Sequence, residues 1–250
     1  MFSKKSVLIL AAAALFSFGA CTAAMAAPDN FSVKADELEY DLQTGEGIAK
    51  GHVVLTQDGG TATADYAKFN SKSKTGNLIG NVIAEREDSY ISCNELVMHS
   101  ENYLSAVGDA NVSKNGRTIS AYQVDYYKDR EYAETIGSWA QLTDSDGSIV
   151  NAAKIDYDIR GGVANAYGGV TIDSAARELT ASADKAVYRT DSNGYIELIG
   201  NAKATQKGNS VAGDTLRLTN TNVATADGNV KIIYIPEKQP AEPVKNAQLA

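Results

Sequence analysis

Residues 62–84 read ATADYAKFNSKSKTGNLIGNVIA, and this stretch decides the fold. Two short runs of different rhythm flank a polar turn. In the first, Ala64-Asp65-Tyr66-Ala67-Lys68-Phe69, a small residue is followed by an apolar one three places on and an aromatic one five places on. The second, Gly80-Asn81-Val82-Ile83-Ala84, has polar and apolar positions in alternation after its glycine, which predicts a strand with one dry face. The turn between them, SKSKTGN at 71–77, carries the residue types that break regular structure.

Both runs recur along the chain. The first returns as ADELEY, CNELVM, AYQVDY, AAKIDY and ADKAVY, and more loosely as GDTLRL, so that its leading column is Ala35, Ala64, Cys93, Ala121, Ala152, Ala183 and Gly213. The second is led by Gly51, Gly80, Gly108, Gly137, Gly168, Gly200 and Gly228, spaced 29, 28, 29, 31, 32 and 28 apart. Two columns in step over seven copies mark a stacked repeat in which no copy is stable alone. Seven copies of two runs predict an all-β chain of about fourteen strands. A period near 29 residues suits either an antiparallel two-sheet jelly roll or a parallel solenoid.

Alternation assigns the inward positions. Two places after each glycine stand Val53, Val82, Ala110, Trp139, Val170, Ala202 and Val230; four places after stand Leu55, Ala84, Val112, Ile172, Ala204 and Ile232, with Gln141 interrupting the fourth copy. The position directly after the glycine is read as outward: His52, Asn81, Asp109, Ser138, Gly169, Asn201 and Asn229. Trp139 is large for its column and reads as an interior plug or as part of a groove wall.

Composition agrees. The chain has 250 residues, 44% hydrophobic and 22% charged, which is ordinary globular usage. Its prolines are Pro28, Pro236, Pro240 and Pro243, so the whole of 31–235 is free of the residue that deletes ladder donors. Residues 1–26 read as a secretory leader: Lys4 and Lys5, an apolar run from Val7 to Ala20, and an Ala24-Met25-Ala26 cleavage site. Competing readings are a lipoprotein box at Phe18-Gly19-Ala20-Cys21, where phenylalanine is a poor first residue, and an uncleaved anchor, for which the run is short. Removing the leader takes two lysines from a net charge of −8, giving −8 − 2 = −10, which repels nucleic acid. The organisation expected is a leader over 1–26, one repeat domain over 27–235, and a disordered tail over 236–250.

The coupled motifs, KADELEY with GEGIAKGHVVLTQDG, ATADYAKF with GNLIGNVIAERED, and SVAGDTLRL with ATADGNVKIIYIP, resemble the OstA-like family of periplasmic lipopolysaccharide-transport proteins across about residues 31–236. The resemblance implies an antiparallel β-jelly roll with an apolar interior that takes the acyl chains of lipid A. It implies a periplasmic bridge between inner-membrane and outer-membrane transport components, with copies joined head-to-tail through edge strands. Carried onto this sequence, the lipid-facing set is Val53, Leu55, Val82, Val112, Trp139, Val170, Ile172, Val230 and Ile232, and the open edges lie near 31–42 and 223–235. The resemblance implies no enzyme activity, no cofactor and no metal.

The remaining polar residues fit that reading. Asp36, Asp65, Asp184 and Asp214 recur at strand starts, and a group copied down a stack has a local backbone or turn role rather than a catalytic one. Cys93 stands in an alanine column and reads as a small buried residue. His52 and His99 are far apart and read as surface residues, and no catalytic or phosphate-loop motif is present. Basic residues gather at Lys114/Arg117 and Lys128/Arg130; solvated turns are the plain reading, a contact with lipid phosphates the sharper one. An adhesive β-solenoid at the cell surface is the alternative function.

Overall fold

A computed structural model describes residues 31–57, 59–189, 195–219 and 224–235. The leader and the tail lie outside the described residues. The strands are β1 (Ser32–Lys34), β2 (Glu37–Tyr40), β3 (Glu46–Gln57), β4 (Gly60–Asn70), β5 (Thr75–Arg86), β6 (Ser89–Ser100), β7 (Tyr103–Lys114), β8 (Arg117–Tyr127) and β9 (Tyr132–Thr143). They continue as β10 (Ile149–Ala152), β11 (Lys154–Asp158), β12 (Val163–Ser174), β13 (Leu179–Arg189), β14 (Tyr195–Gln206), β15 (Asn209–Thr219), β16 (Ala224–Asp227) and β17 (Lys231–Ile233). One 3-10 turn, Ala175–Arg177, interrupts them.

Each long strand pairs antiparallel with the next from β3 onward, as short turns between strands require. The parallel solenoid is therefore excluded. Three strands are split in two: β1 and β2 both pair with β3, β10 and β11 both lie between β9 and β12, and β16 and β17 both pair with β15. Among the described residues, seventeen segments less these three splits leave fourteen strands, two per copy.

The splits show how the sheet bends. Every long strand crosses a corner, with one half in a first leaf (β1, β10, β17 and the halves beside them) and one half in a second leaf (β2, β11, β16 and theirs). The two leaves face each other over a common interior: Val150 and Ile172 of the first lie across a small cavity from Ala164, Tyr188 and Ile196 of the second. The corner is a β-bulge, two residues opposite one. In β4–β5 the pairing jumps from Thr63↔Ile83 to Tyr66↔Ile79, leaving Gly80 and Asn81 opposite Asp65.

That bulge explains the repeated motif. Gly80 and Asn81 both have positive φ (82° and 48°), as do the matching pairs from Gly51/His52 to Gly228/Asn229 outside the fourth copy. The column after the glycine is thus rich in Asn, Asp, His and Gly because those residues tolerate the left-handed region. Asp65 lies over the glycine, so that a Cβ at Gly80 would sit 2.4 Å from its Oδ2. The Asn81 amide donates to the same carboxylate at 2.8 Å, as Asn201 does to Asp184 at 2.9 Å and Asn229 to Asp214 at 3.0 Å. In the first copy His52 Nδ1 lies 2.8 Å from Asp36 Oδ2. The recurring aspartates are corner clasps. In the third copy the residue types are exchanged, Asn94 standing over Gly108 and Asp109 following it. The fourth and fifth copies, with Tyr122 and Ala153 at this place, have no clasp.

Candidate functional site: the apolar interior and its mouth

Inner side chains come from both leaves. On β4 the inward residues are Ala62 and Ala64 in the first leaf and Ala67 and Phe69 in the second. The corner shifts the alternation by one residue on this strand, which gives the small–apolar–aromatic spacing of the motif its physical meaning. Across adjacent strands of the second leaf the inward row nearest the hairpin turns runs Tyr40↔Gly47↔Phe69↔Gly76↔Met98↔Leu104↔Tyr126↔Ala133↔Tyr157↔Ala164↔Tyr188↔Ile196↔Leu218↔Ala224. Large residues on motif strands face smaller ones on five of the seven glycine-led strands. The ring of Phe69 occupies the space over Gly47, where a Cβ would come within 2.3 Å of Cζ. The sequence reading missed this column, although the residue four places before each column glycine (Gly47, Gly76, Leu104, Ala133, Ala164, Ile196, Ala224) shows it.

The structure places Val53, Leu55, Val82, Val112, Val170 and Ile172 in the buried interior, spread along the whole stack. Three of the expected inward residues are not buried. Trp139 is 48% exposed because the fourth corner is one residue longer: Ala121↔Ala140 and Gln123↔Ile136 leave Gly137, Ser138 and Trp139 opposite Tyr122 alone. The extra residue shifts the phase, so Ala140 and Leu142 are the inward pair and Gln141 points out. Ser138 accordingly has no positive φ. Opposite this corner the Thr135 hydroxyl accepts from the Ile155 N–H at 2.8 Å and donates to its carbonyl at 3.2 Å, standing in for ladder bonds. Val230 and Ile232 are 49% and 70% exposed for another reason. Ile232 pairs with Val211 and shares its inner face, and among the described residues no further strand lies over it. Leu38 and Tyr40 are exposed at the opposite end in the same way.

The hairpin turns of the two leaves form two rims, and the seam between them is termed the mouth. At the first copy the Phe31 ring meets Phe69 edge-on at 5.5 Å. Farther along, ion pairs and hydroxyls stud the rim of the first leaf: Arg117 Nε donates to Asp144 Oδ1 at 2.8 Å, Arg177 lies 3.6 Å from Asp146, and Ser148 Oγ donates to Ser174 Oγ at 2.7 Å. Lys114 pairs with Asp88 at 3.8 Å. On the other rim Arg130 stacks over Tyr127 at 3.9 Å and Arg160 lies 3.6 Å from Glu131. The basic turn residues thus already have partners within the fold. Cys93 is buried and burial pushes its thiol up to about 11, so it is chemically quiet. His52 sits in the first corner; His99 ends β6, stacked on Tyr103 at 4.1 Å. Among the described residues no group of three His, Cys, Asp or Glu could hold a metal ion, and no helix is long and apolar enough to cross a membrane.

What this interior offers, among the described residues, is a continuous packed apolar core between two leaves, with a cavity of about 20 Å³ beside Val150 and Ile172. Among solved structures, the chain is similar to LptH, the LptA-homologous periplasmic component of the lipopolysaccharide transport device of Pseudomonas aeruginosa, at 14% identity over 83% of this chain and 96% of that one, with a TM-score of 0.18. No curated protein matches it. The family model described as LptA/(LptD N-terminal domain) LPS transport protein matches residues 32–223, and the chain belongs to that family.

Proposed function

We propose that this protein carries lipopolysaccharide through the periplasm by holding the acyl chains of lipid A between its two leaves, with the sugar head outside the mouth. The observation that carries this reading is the unbroken inner surface, apolar from Val53 to Leu216 across the copies. Each acyl methylene taken from water into it contributes about 0.8 kcal/mol. The cavity beside Val150 and Ile172 is only about 20 Å³, roughly one water, so chains enter as the leaves part along the mouth. The work needs no catalytic step.

The ends support a bridge. Among the described residues β1 and β2 pair only with β3, and β16 and β17 only with β15. Unpaired edges are normally blunted, yet here they adjoin uncovered apolar residues, Leu38 and Tyr40 at one end and Ile232 and Tyr234 at the other. Strand addition at those edges joins copies head-to-tail and joins the stack to inner-membrane and outer-membrane components. The test is depletion in the native cell with fractionation. Lipopolysaccharide is expected to stop short of the outer surface, and the protein to be found in the periplasmic fraction. Normal surface lipopolysaccharide after depletion contradicts the proposal.

A further inference from the structure

The Tyr188 hydroxyl is, among the described residues, buried without a hydrogen-bond partner. Tyr188 is 4% exposed and lines the cavity between the leaves. Tyr126 and Tyr157 hold the same motif position in the two preceding copies. A buried phenol left unbonded is costly, and native folds seldom leave one so.

Among the described residues, none is placed to bond it. The cavity wall is Val150, Ile155, Ala164, Ile172, Ala186 and Ile196, with Asn165, whose amide donates to Asp156 at 2.9 Å. Buried waters take about three polar partners, and this apolar space does not supply them. The charges acting on the phenol, Asp144, Arg117 and Arg177, are held in ion pairs at the rim. Burial, reinforced by Asp144, pushes the phenol up to about 12, so it is a neutral O–H at physiological pH.

We infer that Tyr188 is a specificity residue of the interior: its hydroxyl bonds an oxygen carried part-way along a bound acyl chain, and so favours chains bearing a hydroxyl, ester or amide over plain hydrocarbon chains. The inference rests on the lipid-carrying function proposed above. The unliganded fold already bears the desolvation of the phenol, so a bond made by the ligand counts nearly in full.

The test titrates the purified protein with tetradecanoic acid and with β-hydroxytetradecanoic acid, each displacing a fluorescent fatty acid. The wild type is expected to prefer the hydroxy acid by about 2- to 10-fold. Tyr188→Phe keeps the ring; it should bind tetradecanoic acid as the wild type does, lose the preference, and melt no lower than the wild type without lipid. Retained preference in Tyr188→Phe, equal binding of both acids by the wild type, or a lowered melting temperature of the lipid-free variant each overturns the inference alone. A wild type that binds neither acid nor lipopolysaccharide overturns the lipid-carrying function, and this inference with it.

Discussion

The alternation of large and small residues along the inward row beside the turns makes Gly47 a sharp point of test. Its φ is outside the left-handed region, so a substitution there meets only a steric obstacle. An alanine Cβ would stand 2.3 Å from Phe69 Cζ and 2.6 and 2.7 Å from the two Cε atoms. Phe69 cannot simply yield: it is buried, stacked with Tyr40 at 6.2 Å and touched edge-on by Phe31 at 5.5 Å. Overpacking of this kind costs about 1–3 kcal/mol. Replacing glycine stiffens the unfolded chain and offsets about 0.5–1 kcal/mol of that. Gly47→Ala should therefore lose about 0.5–2 kcal/mol, a fall of roughly 1–8 °C in Tm for a chain of this size. Phe69→Ala should lose about 3 kcal/mol. With the ring gone, adding Gly47→Ala should cost nothing or stabilise slightly, so the double variant is more stable than the sum by about 1–3 kcal/mol. The cycle is read by urea unfolding followed by far-ultraviolet circular dichroism. Additivity of the two losses within about 0.5 kcal/mol would refute the packing argument.

Three further outcomes are expected. Trp139 is the only tryptophan, so the intact protein should show red-shifted fluorescence quenched by iodide, unchanged when lipid binds; a blue-shifted, shielded emission contradicts the outward placement. The hydrogen bond that His52 donates to Asp36, with the charge of that carboxylate, raises the His52 pKa, so the pair's contribution is complete below the unfolded value of about 6.5 and fades as pH rises through the folded value. Melts between about pH 6 and pH 8 should show the wild type losing slightly more stability than His52→Asn, whose amide bonds Asp36 without titrating; equal losses count against the clasp. Cys93 should resist iodoacetamide near neutral pH in the folded protein and react on unfolding, and rapid alkylation of the native chain contradicts its burial.

Much of this architecture is legible in the chain. Two columns in step predict two strands per copy and about fourteen strands, and splitting three of them at their corners produces the seventeen observed. The inward placement of Val53, Val82 and Ile172 follows from alternation alone. Strand direction does not, since a period of this length fits both stackings; the short turns decide it. The misplaced Trp139 comes from one extra residue in a corner, and Gln141 in an apolar column was its visible symptom. The column after each glycine faces outward, as alternation predicts, and the left-handed backbone adds a second reason for its residue types that alternation does not show. Val230 and Ile232 are exposed because, among the described residues, no strand follows theirs to cover it, which alternation within a copy does not show.

The most direct measurement of the central claim places photo-crosslinking residues at adjacent positions on opposite faces of one strand. Val82 and Ile172 are buried between the leaves, while their neighbours Ile83 and Thr171 face out. Irradiation in living cells should join lipopolysaccharide to Val82 and Ile172 and leave Ile83 and Thr171 free of it. Equal capture on both faces, or none at the inner positions of a correctly folded protein, contradicts carriage through the interior.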